Sequence, residues 1–263
     1  MIATSSATAL GTAGLTIAVL MLTTWVLSML LKNASIVDIV WGFGFVCVAW
    51  AVRLQAEGND AQQNLLVVMT SVWGLRLAGY LFWRNHGKPE DYRYRAMRKH
   101  WGPRFPVISL VTVFGLQGVL MFLVSLPVQL GQTSATPALG VIAYVGVALW
   151  LVGLFFEVVG DAQLARFKSD AANAGVVMDR GLWRYTRHPN YFGDACVWWG
   201  IALVAAETTV GRWGLVGAAV MTTLLRRVSG VTLLEKSLVK RRVGYVEYVA
   251  RTSPFVPRPP KKA

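Results

Sequence analysis

In GLWRYTRHPNYFGDACVWWG, residues 181–200, a basic turn runs straight into an aromatic, apolar stretch. Arg184, Arg187 and His188 supply positive charge and ring nitrogens. Pro189 suits the first turn of a helix, and Asn190 and Asp194 stand four apart, on one helix face. Cations beside the free N–H groups of a helix N-terminus make an anion site. A second pair at the same spacing, Glu157 and Asp161 in LFFEVVGDAQLARF, puts two carboxylates on one face. They repel, more so in low dielectric, unless cations or donors meet them. A third set lies upstream: Asp38 with Trp41 in SIVDIVWGFG, and Arg76 in SVWGLRLAGY. An Arg in mid-span has to meet an acid or a cavity, and Asp38 is the acid nearest in depth. The segment RNHGKPEDYRYRAMRKHWG has the residue types to hold phosphate and stack a flat ring. Plainer accounts stay open for each set: a capped helix with basic flanks, an interfacial helix end, a structural Asp38–Arg76 pair, an ordinary basic loop.

The elements that must carry these groups are greasy. The chain has 263 residues, 55% hydrophobic and only 15% charged, against about 25% charged in an ordinary soluble domain. A membrane span needs roughly 20 mostly apolar residues. Seven such stretches are expected, at 9–31, 36–54, 64–83, 107–130, 138–163, 191–209 and 211–228. Open sheets cannot stand in lipid, so the expected fold is all-α: one polytopic transmembrane domain over 1–263, with a flexible basic tail at 254–263. Segments 84–104, 166–187 and 226–262 hold 22 of the 26 Lys and Arg residues. Loops 55–63, with Glu57 and Asp60, and 131–137 hold none. Seven helices with the N-terminus outside and the C-terminus cytoplasmic put all three basic segments on the cytoplasmic side. The net charge of +13 is thereby read as topology plus contact with anionic membrane lipid, not as a nucleic-acid surface.

Several chemistries are excluded. Cys47 and Cys196 lack a CxxC spacing, so neither a disulfide framework nor a metal site is expected. There is no GxGxxG, Walker A, HExxH or GxSxG motif. Any chemistry with a soluble cofactor must be done inside the membrane fold, with the basic turn toward the cytosol and the apolar side toward a lipid-like molecule.

The run Glu157-x-x-x-Asp161, then GLWRYTRHPNYFGD, then WWGIAL resembles the steroid 5α-reductase-like membrane proteins, most closely their bacterial DUF1295 branch. SIVDIVWG, WGLRL and GKPEDYRY are further marks of that branch, and the resemblance covers about residues 33–257. It implies an integral, multi-pass protein, here of a bacterial inner membrane. It also implies a cytosol-facing cavity for NADPH and reduction of a carbon–carbon double bond conjugated to a carbonyl in a steroid-like or other lipid. Carried over residue by residue, the implied cofactor-binding set is Glu157, Asp161, Lys168, Arg184, Arg187, His188, Asn190, Tyr191 and Asp194. The implied catalytic set is Asp38, Arg76 and Tyr80. Asp38 stands in loosely for a Glu of the second helix. Trp73 occupies the place of a Tyr and cannot donate a hydroxyl proton, so Tyr80, one turn beyond Arg76, is the substitute. RYTRHPNYFG followed by EKSLVKRRVGYVEYVARTSPFVPR also resembles the isoprenylcysteine carboxyl methyltransferases. In that resemblance His188 and Glu235 would bind S-adenosylmethionine. It covers only the C-terminal half and makes no use of Glu157 and Asp161.

Overall fold

The computed structural model describes residues 5–56, 61–134, 138–228, 235, 238, 242 and 244–261. Glu57, Asp60, Lys236, Lys240, Arg241 and Lys262, counted in the charge pattern, lie outside the described residues. No strand is present among the described residues. Five helical stretches are long and apolar enough to cross a membrane: Ser6–Leu30 (α1), Ile36–Arg53 (α2), Ala61–Asn85 (α3), the run Tyr92–Val124, and Val141–Ser169 (α8). They match the first five expected stretches, except that the fourth begins at Tyr92 rather than 107 and ends at Val124 rather than 130, and the fifth runs on to Ser169. Helices Pro189–Ala205 (α9) and Leu215–Thr223 (α10) follow, then a π turn at Leu224–Val228 and a C-terminal helix at Tyr245–Arg251.

The chain divides into two compact units: Met1–Tyr144 with Ile201–Gly217, and Val145–Gly200 with Ala218–Ala263.

In the first unit, α2 and α3 approach until a Cβ on Gly42 would lie 2.6 Å from Gly74 O, and one on Gly74 2.5 Å from Gly42 O. The run Tyr92–Val124 is segmented into α4 (Tyr92–Trp101), α5 (Phe105–Ser109), a π turn (Leu110–Gly115) and α6 (Leu116–Val124). Gly102, at φ +48°, ends α4. The expected span to residue 130 breaks at Ser125, ahead of Pro127 in α7 (Leu126–Leu130), because proline has no N–H to continue the ladder. Side chains bond carbonyls of the last turn. Ser125 Oγ donates to Met121 O (2.7 Å), and Gln129 Nε2 donates to Phe122 O (2.9 Å). Other buried amides do the same work: Gln62 donates to Val204 O and Ala205 O, and Gln132 to Ala49 O and Val128 O.

In the second unit, glycines set α8 against α9. Gly146, Gly153 and Gly160 repeat every seven residues on α8, and Gly193 and Gly200 on α9. A Cβ on Gly153 would lie 2.5 Å from Gly193 O, and one on Gly200 2.6 Å from Gly146 O. A Cβ on Gly160 would lie 3.2 Å from Pro189 Cγ. The segment expected as a loose tail from 254 carries hydrogen bonds to Lys261: Thr186 Oγ1 donates to Phe255 O, Arg258 N to Tyr185 O, and Lys261 N to Arg251 O.

Gly153→Val should force the two backbones apart and lower stability by roughly 1–3 kcal/mol, read as a fall in thermal midpoint in detergent. Gly79→Ala, where an added Cβ meets nothing within 4 Å, should leave the midpoint unchanged or raised.

Candidate functional site

The glycine-tight pairing determines where the polar groups of α8 and α9 fall. Glu157 and Asp161 are both buried. A Cβ on Gly193 would lie 2.9 Å from Glu157 Cγ. Asn190 Nδ2 donates to Asp161 Oδ1 (3.4 Å), while Asn190 Oδ1 accepts from Tyr191 N (3.1 Å). Three of the four positions in the two spaced pairs therefore meet at one helix–helix seam, and Asp194 is half-buried one turn further along α9.

The same face of α8 continues outward through Leu164, Phe167 and Lys168 and becomes the wall of a cavity of about 400 Å³. Lys168 follows Asp161 by seven residues, a rise of about 10 Å. The opposite walls come from the 170–178 connection, from Trp183, Arg187 and His188, and from Leu238, Arg242, Tyr245 and Tyr248. Of the nine expected cofactor residues, Lys168, Arg187 and His188 line this cavity. Glu157, Asp161, Asn190, Tyr191 and Asp194 are not among its lining residues, and Arg184 is exposed on the outside of the turn.

The turn 181–188 is built by the residues around it. Gly181 sits at φ +59°, and any side chain there would meet Gln163, whose Oε1 accepts from Leu182 N (2.9 Å). Trp183 Nε1 donates to Gly160 O (3.1 Å), and Tyr248 Oη donates to Trp183 O. Arg187 points inward. Its Nε and Nη2 donate to the two oxygens of Glu235 (2.7 and 3.0 Å), and its Nη1 to Val249 O and Thr252 O. Four of its five N–H donors are thus occupied. A guanidinium so engaged is a clamp between the turn and the C-terminal helix, and it also stands on the cavity lining. His188 Nε2 lies 3.0 Å from Glu235 Oε1, and its ring stacks on Tyr191 (5.2 Å, 6°).

The charged groups among the described lining residues are Lys168, Asp170, Arg187 and Arg242. Arg187 is paired with Glu235, and Asp170 accepts from Ala172 N and Asn173 Nδ2. Burial raises the Glu235 carboxyl, but hydrogen bonds from His188 and Arg187 outweigh it and hold the group below the usual glutamate range. Burial, then the negative Glu235, pushes the Tyr245 phenol up to about 12. Tyr245 therefore keeps its proton at neutral pH and is a donor on the cavity wall.

The expected catalytic set lies in the other unit. Asp38 Oδ1 accepts from Tyr94 Oη (2.9 Å) and Oδ2 from Arg93 Nη2 (3.0 Å). The acid expected to meet Arg76 thus has a hydroxyl and a cation of its own. Trp73 is fully buried, with its ring edge-on to Phe45 (5.5 Å, 69°). Among the described residues no group of three or more His, Cys, Asp or Glu side chains is placed to hold a metal.

A family model described as "Protein of unknown function (DUF1295)" matches residues 24–252. The chain belongs to the DUF1295 family. This DUF1295 protein is 24% identical to the "Uncharacterized protein C594.04c" of Schizosaccharomyces pombe, a match covering 89% of this chain and 75% of the relative. No solved structure matches it.

The reading of motifs passed over Arg242, Tyr245 and Tyr248, which line the cavity. A signal existed: in RRVGYVEYVAR they recur every third residue around Gly244, whose φ of +76° opens the C-terminal helix. Tyr245 and Tyr248, three apart in that helix, share one side of it, and Arg242 precedes its cap.

Glu235→Gln should destabilise the protein at neutral pH by roughly 1–3 kcal/mol, because Arg187 stays buried with weaker acceptors. Glu235 titrates lower in the folded than in the unfolded protein, so its stabilisation is complete above the ordinary glutamate range and is lost on acidification. The gap between wild type and E235Q in detergent melting curves should therefore close as pH falls below about 4.

Proposed function

We propose that this DUF1295 protein is an NADPH-dependent membrane reductase, acting on a conjugated carbon–carbon double bond in a steroid-like or other lipid. In this reading the chain crosses a bacterial inner membrane seven times. The two spans beyond the five long helices are α9 and the helical stretch 211–228, where a turn at Gly211–Gly214 leads into α10 and its π turn. The N-terminus lies outside, and the basic segments, the 181–188 turn and the cavity face the cytosol.

The observation that carries the reading is the cavity bounded by Lys168, Arg242 and the rings of Phe167, Trp183, Tyr245 and Tyr248. Cations suit the phosphates of a dinucleotide, and aromatic walls suit its flat rings. Bound NADPH supplies a hydride. The protein's part is to bind, orient and keep water out. Lys168 and Arg242 hold the anionic portion. Trp183 and Tyr248 are fixed by hydrogen bonds to Gly160 O and Trp183 O, so they offer rigid walls. Leu164, Phe167 and Leu238 make the site apolar, which strengthens each polar contact within it. Arg187 and Glu235 act indirectly, holding His188 in one orientation on the lining. The donors that this reading assigns to the substrate oxygen are Arg76 with Asp38, or Tyr80, all residues of the first unit. One such donor is worth roughly 3–4 kcal/mol in other enzymes.

A second reading has one observation in its favour. The His188–Glu235 contact of 3.0 Å joins the two residues that the methyltransferase resemblance singles out for S-adenosylmethionine.

Titration of the purified protein with each cofactor separates the two. NADPH should bind, with Trp fluorescence and calorimetry as readouts, and Lys168→Ala or Arg242→Ala should each weaken it by about tenfold or more, as expected for a charge-assisted hydrogen bond. Binding of S-adenosylmethionine with none of NADPH would overturn the reductase in favour of the methyltransferase.

A further inference from the structure

The first unit holds a second polar hollow, of about 320 Å³, where α2 begins and α3 ends. One wall is Asn33, Ser35, Ile36 and Ile39. The other is Phe82, Asn85, His86 and Lys88, with Gly87 at φ +70° turning the chain between them. Hydrogen bonds tie the walls together: Asp91 N donates to Ser35 Oγ (2.6 Å) and Ala34 N to Glu90 Oε1 (2.7 Å).

The charges are arranged asymmetrically. Glu90 is paired with Arg98 (2.9 Å). Asp91, which also lines the hollow, accepts from Arg93 N and Nε, each at 2.9 Å. Lys88 makes no ion pair among the described residues, and His86 contacts only the Phe82 ring there (5.3 Å). The hollow therefore presents an ammonium, an imidazole and the amides of Asn33 and Asn85 to whatever enters. Its floor is apolar. Ile36 and Ile39, one turn apart at the start of α2, face Phe82 in the last turn of α3. Trp83 and Tyr92, both well exposed, flank it, as aromatic side chains do at headgroup level.

We infer that this hollow is a binding site for a phosphate-bearing group, supplied by the headgroup of an anionic membrane lipid whose chains leave over Ile36, Ile39 and Phe82. Lys88 is the point charge for the phosphate, His86 and the two amides are the remaining donors, and Arg93, shared with Asp38, acts with Arg84 to offset the charge of Asp91. Cation, donors and apolar floor are those of an amphiphile, whereas free phosphate would leave the floor uncovered. The site is separate from the cavity of the second unit and does not rest on its chemistry.

The test is native mass spectrometry of the full-length protein released from nanodiscs of phosphatidylcholine doped with phosphatidylglycerol. Wild type should retain phosphatidylglycerol in preference to phosphatidylcholine. Lys88→Ala should weaken that retention by roughly fivefold, about 1 kcal/mol at 25 °C, and the H86A/K88A pair by more. Lys99→Ala, an exposed base on α4 outside the hollow, should change nothing. All three positions are exposed, so folding should be unaffected, and thermal midpoints check it. Loss of retention in K99A equal to that in K88A, or no loss in H86A/K88A, would overturn the proposal. So would displacement of the lipid by millimolar inorganic phosphate, which would identify the ligand as a soluble anion.

Discussion

Two helices in lipid gain little by burying apolar surface against each other, since the acyl chains are as apolar as leucine; close packing and interhelical polar contacts must do the work instead. In the second unit that constraint is met by bare backbone. Gly146, Gly153 and Gly160 on α8 face Gly200, Gly193 and Pro189 on α9, and the separation they allow decides everything polar nearby. It lets Glu157 and Asp161 sit in a seam with Asn190 as a donor, where two like charges would otherwise be hard to keep. It also brings Pro189 beside Gly160, so that the 181–188 turn must double back over the end of α8. Gln163 and Gly160 O then fasten that turn through Leu182 N and Trp183 Nε1.

Arg187 shows how the turn is joined to the chain's far end. A buried guanidinium is costly unless paired and fully hydrogen-bonded. Here one carboxylate and two backbone carbonyls surround it, and its own N–H donates to Ser253 O (2.9 Å). Glu235, Val249, Thr252 and Ser253 are 48 to 66 residues downstream, so one side chain recruits the C-terminal helix to the cavity wall. The aromatic residues of that helix, Tyr245 and Tyr248, arrive as a consequence. In a chain where apolar burial selects partners weakly, this placement of a charge does the selecting.

These particulars explain what could be read from residue types and what could not. The long helices were legible because composition alone reports a span, and most of their ends fell within a few residues of expectation; the fourth stretch, expected from 107, begins at Tyr92 in a charged segment that hydropathy passes over. Pro127 ended one early, and α8 ran on to Ser169 because Arg166 and Lys168 extend a helix comfortably at its C-terminal end. Four-residue spacing put Glu157 with Asp161, and Asn190 with Asp194, on one face of their own helices, but nothing local said that Asp161 would meet Asn190. The role of Arg187 was not legible either. A basic turn looks the same whether its cations face a ligand or a distant glutamate, and local spacing carries no information about residue 235. Asp38 shows the same limit: depth suggested Arg76 as its partner, but Arg93 and Tyr94 reach it from α4.

The order of charges along α8 has a consequence for whatever occupies the cavity. On one helix face the sequence runs Glu157, Asp161, Leu164, Lys168, so the carboxylates lie inward of the cavity and the ammonium lies on its wall. Seven residues, a rise of about 10 Å, separate Asp161 in the seam from Lys168 on the cavity wall. In the proposed reading the phosphates lie at the Lys168 and Arg242 end, and the flat rings lie against Trp183, which Gly160 O holds in place. Moving the acids outward by one or two helical turns would put carboxylates on the cavity wall while leaving its size and lining rings the same, which is why the spacing between Asp161 and Lys168 matters as much as the residues themselves.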